Sequence, residues 1–185
     1  TPAAELAVRT LQELGVSPGV VSRGYGRRSS GIQVVADQRG LRTDPQGAGD
    51  EPFLLARRLP GVPVVVGENR YQAGRYCLES FGVGALVLDD AFQHRTLEKD
   101  LEVVLVAGQS PWGNGHLFPR GPLREPVSAL GRAHLVVVVG GAAEGRARVE
   151  EAVGRHNPKA PVVAADYQPL ECWQVRDTTP RAPDA

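Results

Sequence analysis

The run Leu86–Val87–Leu88–Asp89–Asp90–Ala91–Phe92–Gln93–His94 concentrates more reactive side chains than any other segment of the chain. An apolar stretch stops abruptly at two carboxylates, with an amide and an imidazole close behind. Such a stretch predicts a buried strand, and ligands of open α/β sheets bind just past the carboxyl ends of strands. Two adjacent carboxylates repel each other there unless a cation or a proton relieves them. A hydrated Mg²⁺ carrying a phosphate ligand satisfies that requirement. The plainer alternative is a pair of Asp residues capping a turn or helix.

Four further clusters fall in loops after predicted strands or at predicted helix starts. Thr1–Pro2 opens a helix, where a Thr either caps the backbone or meets a metal–phosphate group. Ser22–Arg23–Gly24–Tyr25–Gly26 offers close backbone approach at its glycines, a planar phosphate fork at Arg23 and an amphipathic ring at Tyr25. A plain glycine turn explains the same residues. Gly49–Asp50–Glu51–Pro52 puts acid in a first helical turn, which complements the helix dipole and also suits Asp50 as a general base. The stretch from Gly113 to Pro126 contains Asn114, His116, Arg124 and Glu125 and is too long for a simple connector. Arg124 suits transferring phosphate charge and Glu125 suits a metal. Arg27 and Arg28 add charge near Tyr25, and Arg70 and Arg75 near one helical face.

The totals bound these readings. The chain has 185 residues, with 21 basic against 21 acidic side chains. That length supports an α/β domain with a real core. Zero net charge argues against a general nucleic-acid binder, so any anion site is local. The two cysteines, Cys77 and Cys172, form no metal motif and suggest a reducing compartment. No stretch reaches the roughly 18 apolar residues of a membrane span. The chain lacks Met even at position 1, so it reads as a piece of a longer protein.

Positioning the clusters requires alternating elements. Helices are expected over Thr1–Leu14, Asp50–Leu59, Asn69–Phe81 and Glu144–Arg155. The first should bury Ala3, Leu6, Ala7, Thr10, Leu11 and Leu14. Strands are expected over Pro18–Ser22, Ile32–Ala36, Val62–Val66, Ala85–Leu88, Leu101–Ala107, His134–Val139 and Pro161–Ala165. Asp37–Gly49 and Gly108–Pro126 read as loops. Continuous apolar strands alternating with helices predict a mostly parallel sheet covered on both faces. One core domain is expected over residues 1–166, with an irregular tail over 167–185.

Taken in order, the four clusters at 22–26, 49–52, 89–94 and 113–126 resemble the motifs of the tetraacyldisaccharide 4′-kinase family, over roughly residues 1–166. The resemblance implies a three-layer α/β domain like the P-loop nucleotide hydrolases. It implies transfer of the ATP γ-phosphate to the 4′-hydroxyl of a lipid A disaccharide 1-phosphate precursor, with Mg²⁺. The implied location is the cytoplasmic face of the bacterial inner membrane, with the membrane surface as a partner of the full-length parent. Thr1 then matches a Mg²⁺ and nucleotide ligand and Asp50 the catalytic base. Asp89 and Asp90 match the catalytic carboxylates, Asp90 also as a metal ligand. Gln93 and His94 line the nucleotide, and Arg124 and Glu125 lie near nucleotide and metal. Arg23, Tyr25, Arg70 and Asn114 fall on the acceptor side. The glycine-rich phosphate loop and Lys, the membrane anchor and the carboxy-terminal portion of that family are absent from the chain. Alone it is therefore expected to bind ATP weakly and to be inactive. Two other readings stay open: another P-loop ATP-dependent enzyme acting on a small molecule, and a non-catalytic binding fragment.

Overall fold

The computed structural model describes residues 1–168. Cys172 and nearly all of the expected tail lie outside the described residues. The chain divides into two compact units, Thr1–Leu97 and Glu98–Ala185.

The first unit contains α1 (Pro2–Glu13), β1 (Pro18–Ser22), β2 (Gln33–Asp37), β3 (Gly40–Leu41), α2 (Pro45–Ala48), α3 (Asp50–Arg58), β4 (Val64–Val66), α4 (Arg70–Phe81) and β5 (Ala85–Leu88). Its five-stranded sheet has the order β3-β2-β4-β1-β5. β1 runs parallel to both β4 and β5, whereas β2 is antiparallel to β4 and β3 to β2. The parallel core therefore ends in an antiparallel hairpin at one edge. The segment expected to be a loop over 37–49 supplies β3 and α2, too short to carry a periodic signal. Asp44 caps α2 by accepting from Gly47 N at 2.8 Å, and Asn69 caps α4 by accepting from Gln72 N at 3.1 Å.

Strand alternation builds three layers. Val20, Val64 and Val66 point to one face, where they pack with Ala4 and Val8 of α1 and Leu55 and Ala56 of α3. Val21 and Val65 point to the other, against Ala73 and Cys77 of α4. The buried stripe of α1 is thus Ala4 and Val8, not the one expected: Leu6 is 67% exposed and Leu14 72%. Small and β-branched side chains let the helix lie close to the sheet. Glu5 ties α1 to α3, accepting from Arg9 at 2.9 Å and Arg58 at 3.2 Å. These exposed pairs add little beyond orientation.

The second unit contains β6 (Val103–Ala107), a 3₁₀ turn at Val127–Arg132, β7 (Leu135–Val139), α5 (Ala143–His156) and β8 (Val162–Ala165). Its strands are all parallel, in the order β6-β7-β8. Asn157, at the end of α5, donates to the carbonyls of Leu130 (3.1 Å) and Ala133 (2.7 Å), anchoring the 3₁₀ turn. His134 Nδ1 accepts from Glu102 N at 2.9 Å, a structural role for that imidazole.

Cys77 tests the packing of α4 on the sheet. It is fully buried, and its Sγ occupies space that a side chain at Gly19 of β1 would need, 2.7 Å from an added Cβ. Burial pushes its thiol up to about 11. The thiolate is the reactive form. At pH 8 Cys77 should resist iodoacetamide in the folded protein and label after unfolding in urea, read by peptide mass spectrometry. Equal rates in both states would mean that α4 does not close on the sheet.

Candidate active site

Parallel pairing sets the site of the first unit. The carboxyl ends of β1, β4 and β5 share one edge, so the segments leaving them emerge side by side. Asp89 N donates to Val21 O at 3.0 Å and Gly67 N to Ser22 O at 3.1 Å, which extends the ladder to the departure points. Arg23, Arg70 and the Asp89–Asp90 pair follow at once. Helices that feed parallel strands start at this same edge. α1 brings Thr1 there, and its nitrogen lies 3.8 Å from Asp89 Oδ1. The Thr1 side chain makes no capping bond, although the residue stands at the N-cap position.

Asp90 has φ +51°, the left-handed region, and is the one non-glycine residue with positive φ among the described residues. Asp tolerates this conformation better than most residues, and such outliers cluster where function demands them. Arg70, the first residue of α4, is 6% exposed. Its Nη1 donates to Gly67 O at 2.9 Å and Glu68 O at 3.3 Å, while Nε has no hydrogen-bond partner. Burial lowers the Arg70 pKa, and Arg23 lowers it further; Asp90, Asp89 and Glu68 oppose them. That mutual influence puts Arg23, Arg70 and both carboxylates in one electrostatic neighbourhood.

Asp50 reaches the same edge through a crossing of two loops. Gly49 (φ +88°) lies against the Arg23–Gly26 turn, where a Cβ would stand 2.7 Å from the Tyr25 carbonyl. Gly24 (φ +70°) reciprocates, its Cβ position 2.8 Å from Ala48 O. Tyr25 is 87% exposed and open to a ligand. Arg27, expected to add free charge, is instead ion-paired to Glu68 and donates to Gly31 O at 2.6 Å. The pair lowers the Glu68 pKa, after the effect of that residue's own backbone N–H. Arg75 is likewise paired with Glu79 at 2.7 Å. Nothing local in the sequence marks Glu68, because its partner lies 41 positions away.

The structure brings Thr1, Arg23, Tyr25, Asp50, Arg70, Asp89 and Asp90 to one edge of the first unit. Gln93 is exposed and His94 half-buried in the turns after β5. Asn114, Arg124 and Glu125 belong to the second unit. Asn114 is engaged at both ends of its amide within its own loop. Arg124 is exposed, and Glu125 accepts from Arg132 at 2.5 Å. Arg132 also escapes a reading of the sequence; it lies seven residues past the carboxylate it holds.

Among the described residues no three acidic, His or Cys side chains converge as a metal cage. Mg²⁺ does not need one. It commonly takes one or two carboxylates and fills its shell with water and phosphate oxygens. The strained Asp90 beside Asp89 and the Thr1 hydroxyl fit that demand.

The family model for tetraacyldisaccharide-1-P 4′-kinase matches residues 1–185. This chain belongs to the tetraacyldisaccharide 4′-kinase family. The match extends past residue 166, where the sequence resemblance was expected to end. The chain is 47% identical over 143 residues to the tetraacyldisaccharide 4′-kinase of Syntrophus aciditrophicus, covering 76% of this chain and 38% of that one. It is 52% identical over 136 residues to that of Anaeromyxobacter dehalogenans, covering 74% and 36%. The crystal structure of the apo form of LpxK from Aquifex aeolicus in complex with ATP superposes with a TM-score of 0.66 at 36% identity, over 73% of this chain and 42% of that one. The chain thus spans well under half the length of these 4′-kinases. The fold is that of this kinase family, α/β with mostly parallel strands.

The loop crossing gives a stability test. Gly49→Ala meets both strain and overlap, whereas Gly26→Ala at φ +76° meets open space. The first should cost about 1–3 kcal/mol more than the second in urea unfolding. Equal losses would show that the crossing is loose.

Proposed function

We propose that this chain forms the catalytic core of an enzyme that transfers the ATP γ-phosphate to the 4′-hydroxyl of a lipid A disaccharide 1-phosphate precursor. The observation that carries this reading is the single edge that holds Asp50, the Asp89–Asp90 pair, Thr1 and the Arg23–Arg70 cations together. Asp50 stands at a helix start, exposed, where it can accept the acceptor's hydroxyl proton. The alkoxide oxygen forms its bond to the γ-phosphorus as the bridging bond to ADP breaks. Mg²⁺, when bound, neutralises charge on the phosphates. Asp90, Asp89 and the Thr1 hydroxyl are the groups of this unit suited to hold it. Gln93 and His94 line the nucleotide side. In the second unit, Arg124 has the chemistry to stabilise charge on a phosphoryl group in transit, and Glu125 that of a metal ligand. Arg23 and Arg70 recognise the acceptor's phosphate, and Tyr25 lies against its sugar.

A lipid substrate places the reaction at a membrane surface, and we assign it to the cytoplasmic face of the bacterial inner membrane, where ATP is available. No helix among the described residues is long and apolar enough to cross a membrane. We further assign residues 1–166 to one core domain.

The tests use the protein expressed from its whole reading frame. Asp50→Ala should lower kcat about 10²–10⁴-fold and leave the KM for ATP nearly unchanged. A variant with normal kcat would remove Asp50 from the chemistry. Asp90→Asn should shift the Mg²⁺ titration of activity to higher concentration, and an unmoved titration counts against a metal role.

Arg23→Ala separates the two substrates. A charge-assisted contact is worth about 1.5–3 kcal/mol, so the KM for the lipid acceptor should rise on the order of 10- to 100-fold. The KM for Mg·ATP should barely move. Equal effects on both substrates, or none on either, would return Arg23 to the solvated surface.

A further inference from the structure

We propose that Asn114 is a positioning residue: its side chain clips the 113–126 loop closed and thereby fixes the segment that presents Arg124 and Glu125. The assignment of chemistry to Arg124 and Glu125 rests on the phosphotransfer reading; the clip itself does not.

The loop has little core to lean on. Most residues from 113 to 124 are exposed, including Arg124, and Phe118 at the tip is 80% exposed. Long exposed loops without packing open easily. This one is held by its own polar groups. Asn114 Nδ2 donates to Arg120 O at 2.8 Å, and Asn114 Oδ1 accepts from His116 N at 3.1 Å. The first bond spans the loop from one limb to the other, and the second holds the turn from Asn114 to His116. They also fix the orientation of the amide, since a flipped group would set NH₂ against an N–H and oxygen against a carbonyl. His116 Nδ1 lies 2.8 Å from Asn114 O, closing the same turn.

The returning limb is shaped around this clip. A Cβ at Gly121 would overlap both Asn114 Oδ1 and the His116 carbonyl. Only glycine lets the backbone pass. Beyond it, Phe118 N donates to Leu123 O at 2.8 Å and Gly121 N to Leu117 O at 3.0 Å. Leu117 and Leu123 form an isolated bridge. Just past this closure come Arg124 and Glu125, and Arg132 holds the Glu125 carboxylate from the far side at 2.5 Å. The segment is pinned at both ends.

The sequence placed Asn114 on the acceptor. With its donor and acceptor both engaged inside the loop, its role becomes indirect. A reacting group held loosely loses much of its effect; a displacement near 1 Å costs about 10²-fold in rate. The clip supplies that restraint.

Asn114→Ala, Asn114→Asp and Gly121→Ala are made in the protein expressed from its whole reading frame. The Asp variant keeps the acceptor and loses the donor; the Gly121 variant leaves Asn114 intact and displaces it. Hydrogen exchange of residues 113–123 is measured by mass spectrometry beside steady-state kinetics. All three should accelerate exchange in this loop, with Asn114→Asp the mildest. kcat should fall roughly 10- to 100-fold, with the KM values for ATP and acceptor changed about twofold or less. Unchanged exchange in Asn114→Ala and Gly121→Ala overturns the proposal. So does a raised acceptor KM with exchange and kcat intact, which makes Asn114 a direct substrate contact. So does faster exchange with kcat intact, given that Arg124→Ala impairs transfer. If Arg124→Ala leaves transfer untouched, the reading of the loop's chemistry fails instead, and exchange alone still decides whether the clip exists.

Discussion

A guanidinium removed from water dominates the first unit. Arg70 is 6% exposed, and burial of an ion costs several kcal/mol unless charges and hydrogen bonds offset it. Two carbonyl bonds and the fields of Asp90, Asp89 and Glu68 do so here, while Arg23 works against them. Nε stays without a partner, a further cost of about 1–3 kcal/mol. The carboxylates therefore do more than face a ligand. They make the buried cation tolerable, and the cation in turn relieves the repulsion between two adjacent acids. Glu68 has a second obligation, since Arg27 draws it toward the 23–31 loop. The stability of this edge rests on the balance of these charges.

That edge exists because β1, β4 and β5 are parallel, and this much is legible in the sequence. The run Pro63–Val66 announces a strand buried on both faces, and the intervening helices force parallel crossovers; the run Leu86–Leu88, expected to be buried as well, forms β5 at the sheet edge and is only half-buried. The carboxylates after β5 and the arginines after β1 and β4 follow from that topology alone. The β2–β3 hairpin is not legible. Its direction is set by pairing with β4, about thirty residues away, and β3 is only two residues long. The buried face of α1 escapes for a related reason. Counting large apolar side chains selects Leu6 and Leu14, but closeness to the sheet selects Ala4 and Val8. Periodicity reports hydrophobicity and not the depth of approach.

Within the site, residues whose role follows from their own chemistry can be found in the sequence, and residues whose role is relational cannot. Asp89, Asp90 and Arg23 can be placed at the edge from type and position alone. Glu68 and Arg132 acquire meaning only from partners the fold brings to them. Gly24 and Gly49 stand between these cases. Both are visible as parts of motifs, yet the sequence suggests room for a ligand, and the structure shows room for each other's backbone. Asn114 repeats the lesson: an amide in a polar loop invites a substrate, but its bonds close inward.

The identity of the buried cation has its own logic. A lysine at position 70 would carry a compact, strongly hydrated charge whose desolvation is easily answered by losing the proton. Arginine has no such exit, because its guanidinium stays protonated in proteins even when burial weighs against it. Its planar fork also separates its donors. Nη1 serves the Gly67 and Glu68 carbonyls, leaving other N–H groups for a different acceptor. A positive charge that persists without a ligand is what the neighbouring carboxylates of this edge require. Arg70 supplies it, held in position by the carbonyls at the end of β4 and by the acids at the end of β5. The same carboxylates stand against the repulsion between Arg70 and Arg23. Two like charges side by side are a cost that the carboxylates of Asp90, Asp89 and Glu68 offset.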